Sequence, residues 1–274
     1  MAKNPFAPAA AAVAFSLIIS LLPLSISAAT FACVPVAPGA TVRADVPLSD
    51  LQRSYVSEGG NTPPANAVAV LAVPSGFDPG KSWPVLVVFS TSDFKHQNRD
   101  DLVNYYRASG LAQGWVLLAG DGPAPAKKDS SGWRAGMTLA ALDAMHKSFP
   151  GSEKWPLACA GYSGGAKRAG LLAPLLSLAG NRIIGLYFTG LNEDMLSEGY
   201  RKYKPGGSFL RTPVFLSTGT LDKVATPAQQ TAVKISMQRT GFGRVRHEFF
   251  QYGHVVKKTH IEEALRWFRE QQGG

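Results

Sequence analysis

What most constrains this chain is a rhythm. Between residues 67 and 251, short apolar and β-branched runs recur, and helix-period segments fill most of the gaps between them. The runs lie at 67–73, 85–89, 115–118, 157–160, 183–188, 214–217 and 245–251. Several are apolar throughout rather than alternating, which is how strands buried on both faces read. The helix-period segments lie at about 100–111, 136–149, 165–178, 226–239 and 259–271. Parallel strands need long crossovers, and helices supply them. The pattern therefore predicts an α/β chain with a doubly wound, mostly parallel sheet covered by helices on both faces. Local signals agree: Thr226-Pro227 sets a hydroxyl cap before a proline, Thr259 precedes Ile261-Glu262-Glu263, and Gly110 and Gly241 are natural stops.

With 274 residues, 45% of them apolar, the chain can bury one large core. Residues 67–274 are expected to form the main α/β domain. Residues 30–66, rich in Pro, Gly and Ala, form an N-terminal extension carrying the first strand or strands. Residues 1–29 read as a signal peptide: Lys3 is the sole charge before Arg43, an apolar run covers 9–26, and Ser27-Ala28-Ala29 offers a cleavage site. The competing readings are an uncleaved anchor, because residues 6–26 almost suffice to span a bilayer, and lipid attachment at Cys33. Thr30-Phe31-Ala32-Cys33 is a poor match to the second. The expected location is outside the cytoplasm, periplasmic or secreted, with membrane contact only through the N-terminus.

Two cysteines make no disulfide scaffold. Cys159, in Leu157-Ala158-Cys159-Ala160, reads as a small buried hydrophobe, and a bridge to Cys33 stays open. The net charge of +9 is scattered in doublets such as Lys127-Lys128 and Lys257-Lys258. There is no basic stripe interleaved with aromatics, so nucleic acid is not an expected partner. Attraction to anionic surfaces or acidic polymers remains open.

Chemistry in such sheets gathers at the carboxyl ends of the strands. The run at 157–160 ends in Gly161-Tyr162-Ser163-Gly164-Gly165, with a helix-period segment directly after. This is G-x-S-x-G between a strand and a helix: a serine lifted above the sheet on a tight turn, with small residues where neighbouring backbone crowds in. The Gly164 amide, at the start of that helix, suits a developing oxyanion. The bland alternative is a glycine-rich turn with a structural serine.

Through this elbow, and through the order Ser, Asp, His that follows, the chain over about residues 67–271 resembles the α/β-hydrolase superfamily. It is similar in particular to compact bacterial esterases of the dienelactone-hydrolase and polyhydroxybutyrate-depolymerase kind. The resemblance implies a serine hydrolase with an acyl-enzyme intermediate, acting on a small-molecule or polymer-borne ester, without cofactor or metal. Thr218-Gly219-Thr220-Leu221-Asp222, before Thr226-Pro227, resembles the family's acid loop and makes Asp222 the acid; Asp194 and Glu193 are the fallback. Of the 5 histidines, His247 lies in an expected strand, His146 and His260 on helices and His96 in an early loop. His254, after the last strand, stands where this fold supplies its base. The first oxyanion donor is expected after the run at 85–89. There Phe89-Ser90-Thr91-Ser92-Asp93 replaces the family's His-Gly, and the backbone amide of Thr91 is the candidate.

Tyr162, Trp133 and Asn192 are the candidate substrate contacts, with core packing the favoured alternative for Trp133. The connection between Phe188 and Val214 holds either a small cap or an ordinary connecting helix. Lys167 and Arg168, near a helix start whose dipole disfavours cations, either pair with an acid, meet an anionic substrate or are solvated. Peptidase, thioesterase or acyltransferase chemistry on the same three residues, and a non-catalytic hydrolase-like binding protein, are the alternatives.

Overall fold

The computed structural model describes residues 29–91, 96–124, 128 and 130–272. The leader expected at 1–29 therefore falls, except for Ala29, outside the described residues. A small antiparallel ladder, β1 (Thr30–Phe31) with β2 (Val34–Pro35), precedes an 8-stranded sheet. The sheet's strands are β3 (Thr41–Pro47), β4 (Asn66–Ala72), β5 (Val85–Phe89), β6 (Val116–Asp121), β7 (Leu157–Tyr162), β8 (Ile183–Thr189), β9 (Val214–Gly219) and β10 (Val245–Phe250). Their order across the sheet is β10-β9-β8-β7-β5-β6-β4-β3. β4 runs antiparallel to both β3 and β6, and the remaining pairs are parallel.

The helices are α1 (Asp50–Glu58), α2 (Asn98–Asp101), α3 (Arg107–Ala112), α4 (Ser131–Ser148), α5 (Gly164–Leu178), α6 (Met195–Tyr203), α7 (Pro227–Thr240) and α8 (Lys258–Glu270). A π-helical turn, Leu102–Tyr106, joins α2 to α3. One face of the sheet packs α1, α4, α5 and α7 through residues such as Val56, Met137, Leu172 and Met237. The other packs the α2–α3 segment and α8 through Leu102, Tyr106, Leu265 and Phe268. With both faces covered, alternation has no physical basis: β5 and β6 are buried at every position.

Residues 30–66 supply β3 at the sheet's edge and α1 on its face. The 190–213 connection is a crossover helix, α6, whose Gly199 lies against Leu171 of α5. It is the connecting helix rather than the cap. Cys33 is exposed, Cys159 lies buried in β7, and both thiols are free, so the two are not bridged. Burial pushes the Cys159 thiol up to about 12. Among the described residues no helix is long and apolar enough to cross a membrane.

Candidate active site

β5 is flanked by β6 on one side and β7 on the other, so the winding direction reverses between β6 and β7. In open α/β sheets such a switch point opens a crevice above the carboxyl ends of the strands. Phe89 pairs with Gly161, which sets the ends of β5 and β7 level. Residues 90–91 therefore stand beside residues 162–164.

Ser163 joins β7 to α5 with φ 55° and ψ −121°, a conformation that L-residues rarely adopt. Such strain costs about 1–3 kcal/mol and persists only where the surroundings enforce it. Here the Ser163 amide donates to the Thr189 carbonyl at 2.9 Å. Gly165 allows β5 to touch the first turn of α5: a Cβ there would lie 2.2 Å from the Phe89 carbonyl oxygen. Gly164 begins α5, and the first amides of a helix have no intrahelical acceptor.

Asp222 and His254 come from the loops after β9 and β10. Those loops are stitched together by Thr220 N–H to the Phe250 carbonyl at 2.8 Å and Leu221 N–H to the Tyr252 carbonyl at 3.0 Å. Asp222 is buried, and its Oδ1 accepts the amides of Val224 at 2.8 Å and Ala225 at 2.9 Å. Its Oδ2 lies 2.8 Å from His254 Nδ1. An ionised carboxylate only accepts, so Nδ1 carries the proton and Nε2 is left with a lone pair.

The imidazole is braced from below. Tyr162 Oη donates to the His254 carbonyl at 2.7 Å, and the two rings lie 4.9 Å apart, centroid to centroid. Burial pushes the Tyr162 hydroxyl up to about 12, so it remains a donor at neutral pH. Tyr162, read from sequence as a substrate contact, is thus engaged with the histidine loop. Gly190, at φ 63°, leaves room for the imidazole, since a Cβ there would lie 2.7 Å from His254 Cε1. Sequence reading passed over this glycine, although its place directly after β8 was a usable signal.

The other candidates are distributed as follows. Thr91 is half-buried after β5. The neighbouring Ser90 amide donates to Asn98 Oδ1 at 2.9 Å. Asn192 Nδ2 reaches the Val224 carbonyl at 3.5 Å, on the rim of the acid loop. Trp133 is drawn into the core instead of the cleft: it is 7% exposed and packs where Gly122 has no side chain. Asp194 caps α6 through Ser197 N–H, and Glu193 pairs with Lys167 at 3.0 Å, so both fallback acids are engaged elsewhere. Lys167 thus pairs with an acid. Arg168 is buried and lines, with Gly164, Lys167 and Glu193, a cavity of about 230 Å³. Among the other histidines, His260 Nδ1 meets Ser217 Oγ at 2.8 Å in the core. His247 meets Thr218 Oγ1 at 2.8 Å, and burial pushes it down to about 4.

Strained elbow, packed imidazole and buried carboxylate all lie in loops at the carboxyl ends of the strands of one mostly parallel sheet: the chain has the α/β-hydrolase fold. Comparison with solved structures supports this. A ferulic acid esterase superposes with TM-score 0.56 at 14% identity, covering 86% of this chain and 99% of the other. An α/β serine hydrolase homologue from Coxiella burnetii gives 0.54 at 12%, covering 86% and 98%. A Bacteroides ovatus protein assigned as a dipeptidyl aminopeptidase IV gives 0.55 at 12%; there the match covers 84% of this chain and 36% of the other. No protein-family model and no curated protein matches the sequence.

Proposed function

We propose that the chain is an exported serine hydrolase that cleaves carboxylic esters. The reading rests above all on the 2.8 Å contact of His254 Nδ1 with the buried Asp222 carboxylate, the imidazole packing on Tyr162, which directly precedes a serine held at φ 55°. In this reading Nε2 of His254 removes the hydroxyl proton as Ser163 Oγ bonds to the ester carbonyl carbon, and Asp222 stabilises the imidazolium. The carbonyl electron pair moves onto oxygen, where the amides of Gly164 and Thr91 meet it. Collapse breaks the C–O bond to the alcohol, which takes the proton from His254. Water, activated by the same nitrogen, then releases the acid from Ser163. Tyr162 acts by holding the imidazole, and Asn192 meets substrate at the rim.

Two points favour an ester over a peptide. The ferulic acid esterase matches over almost its full length, whereas the aminopeptidase matches over about a third. The 190–213 connection also folds onto α5 instead of roofing the crevice. The substrate is a soluble small ester or one pendant on a polymer.

Export follows from the sequence of residues 1–29. The described residues bear on where the mature chain begins. Phe31 is fully buried and stacks with Phe149 at 6.4 Å, while the Ala29 carbonyl accepts from Val36 N–H at 2.7 Å. A lipid-bearing Cys33 would be the first mature residue and would strip that ring from the core. Cleavage at 27–29 keeps it. N-terminal sequencing of the exported protein is expected to begin near Thr30, and a start at Cys33 contradicts this.

Hydrolysis of p-nitrophenyl esters from acetate to laurate, with active-site labelling by a fluorophosphonate, tests the chemistry. Turnover and labelling are expected in the leaderless protein and absent from Ser163→Ala. Labelling retained by Ser163→Ala removes the serine from the mechanism. A wild type that neither turns over nor labels leaves a binding protein on a hydrolase fold.

A further inference from the structure

Behind the loop that follows β5 lies a fully buried polar cluster which the mechanism above does not use. Arg134 of α4, Asn98 at the start of α2, Asp121 at the end of β6 and Ser90 are all 4% exposed or less. Asn98 Oδ1 accepts from the Ser90 amide at 2.9 Å and from Arg134 Nη1 at 2.7 Å, and Asn98 Nδ2 donates to the Gly120 carbonyl at 2.8 Å. Arg134 Nη1 also reaches Ser90 Oγ at 3.1 Å, and its Nη2 donates to the His96 carbonyl at 3.1 Å. The guanidinium therefore bonds to both Ser90 and His96. Asp121 balances that charge, Oδ1 to Nη1 at 3.4 Å, and accepts the amides of Asn98 at 2.8 Å and Arg99 at 2.9 Å.

Burying a charged pair is costly, and as pure stabilisation an apolar cluster would serve as well or better. What the pair supplies is direction. Two of the bonds, from the Ser90 amide to Asn98 Oδ1 and from Arg134 Nη1 to Ser90 Oγ, fix Ser90, the residue directly before Thr91. The Ser90 amide is held inward by Asn98, and the next amide along the chain belongs to Thr91, two residues past the Phe89–Gly161 pair that ends the β5–β7 ladder.

We infer that Asn98 and Arg134, backed by Asp121, are positioning residues that hold the Thr91 amide as the second donor to the oxyanion. The inference rests on the serine-hydrolase reading, and both are tested in one set of measurements. An oxyanion donor that is removed or misplaced costs about 100-fold or more in kcat. Asn98→Ala is therefore expected to lower kcat for p-nitrophenyl acetate about 100-fold with KM changed by less than about threefold. Asn98→Asp keeps both acceptor contacts but loses the donor to Gly120, and Arg134→Lys keeps the charge but loses the fork; each should fall between Asn98→Ala and wild type.

The readout that a merely structural role would not move is binding of an alkyl trifluoromethyl ketone, which adds Ser163 Oγ to its carbonyl and creates the same oxyanion. Across the variants its inhibition constant should rise in proportion to the loss in kcat/KM. Kinetics are run well below each variant's melting temperature. If Asn98→Ala does not fold, the same proportionality is read on Asn98→Asp and Arg134→Lys. Folded variants with wild-type kcat and wild-type ketone affinity overturn the positioning role alone, since the wild type and Ser163→Ala would still differ. A wild type without Ser163-dependent turnover overturns both readings.

Discussion

At the scale of single residues, room for the imidazole is set by one absent methyl group. Gly190→Ala places a Cβ 2.7 Å from His254 Cε1 and also asks an L-residue to hold φ 63°. Tyr162 and Asp222 pin the histidine from two other sides, so the ring has to tilt away from Ser163. A loss in kcat of about 100-fold is expected, with the circular dichroism spectrum unchanged; ester kinetics at saturating substrate check it. Asp101 offers a pH-dependent counterpart. Burial pushes its carboxyl up from 3.8 to about 7, with nearby Asp100 and Asp121 adding to the rise and His96 and Arg134 opposing it. The folded state therefore holds a proton that the unfolded chain releases above about pH 4, and stability falls as pH rises toward 7. Asp101→Asn removes that titration. Urea unfolding should find it equal to wild type at pH 4 and more stable, on the order of 2 kcal/mol, at pH 8; equal stability at both pH values would rule this out. Ser163, Asp222 and His254 stood out in the sequence because each lies in the loop after a strand: Ser163 directly after β7, Asp222 three residues past β9 and His254 four residues past β10. Asn98 and Arg134 did not, because a buried polar network joins residues distant in the chain and has no spacing signature.

At the scale of elements, legibility followed hydrophobic content. The buried parallel strands announced themselves as unbroken apolar runs. α1 did not, because it buries only Gln52 and Val56 and shows no apolar stripe. A signal was nevertheless present: Ser49 and Gln52 form a reciprocal capping box, three residues apart. Gln52 has a second task, donating from Nε2 to Asp143 Oδ2 of α4 at 2.6 Å. Gln52→Ala removes the bond from the Ser49 amide and the cross-helix bond to Asp143 together, and leaves Ser49 Oγ capping the backbone. Stability should drop about 1–2 kcal/mol in urea unfolding, while ester turnover holds at wild-type level. An unchanged midpoint would mean that α1 is held by Val56 alone. β3 was hidden for a related reason: its alternation rests on Val42, Ala44 and Val46, and alanine contributes little apolar contrast. α6 was ambiguous because a crossover helix and a cap helix have the same local pattern; only its packing on α5 separates them.

At the scale of the whole molecule, the sheet's winding reversal places the crevice, but the surface around it sets what can enter. The large apolar side chains left in solvent are not scattered evenly. Leu221 is 61% exposed, Val224 60%, Tyr252 69% and Val255 45%, and all stand on the two loops that carry Asp222 and His254. Leu221 N–H bonds to the Tyr252 carbonyl, so these loops form one continuous rim. Exposed apolar groups gathered at one place mark a contact surface, whereas isolated ones carry no such meaning. An acyl chain lying along this rim gains contact with each added methylene, at up to about 0.8 kcal/mol each if fully covered, or roughly fourfold in kcat/KM. The rim is open on one side, so about half of that is expected: kcat/KM should climb about twofold per methylene from acetate to hexanoate. Leu221→Ser combined with Tyr252→Ser should flatten the climb, and decanoate should lose more than acetate does. Equal losses on both esters would show that the two side chains shape the catalytic loops themselves. A wild type indifferent to chain length would assign the rim to a partner other than the substrate.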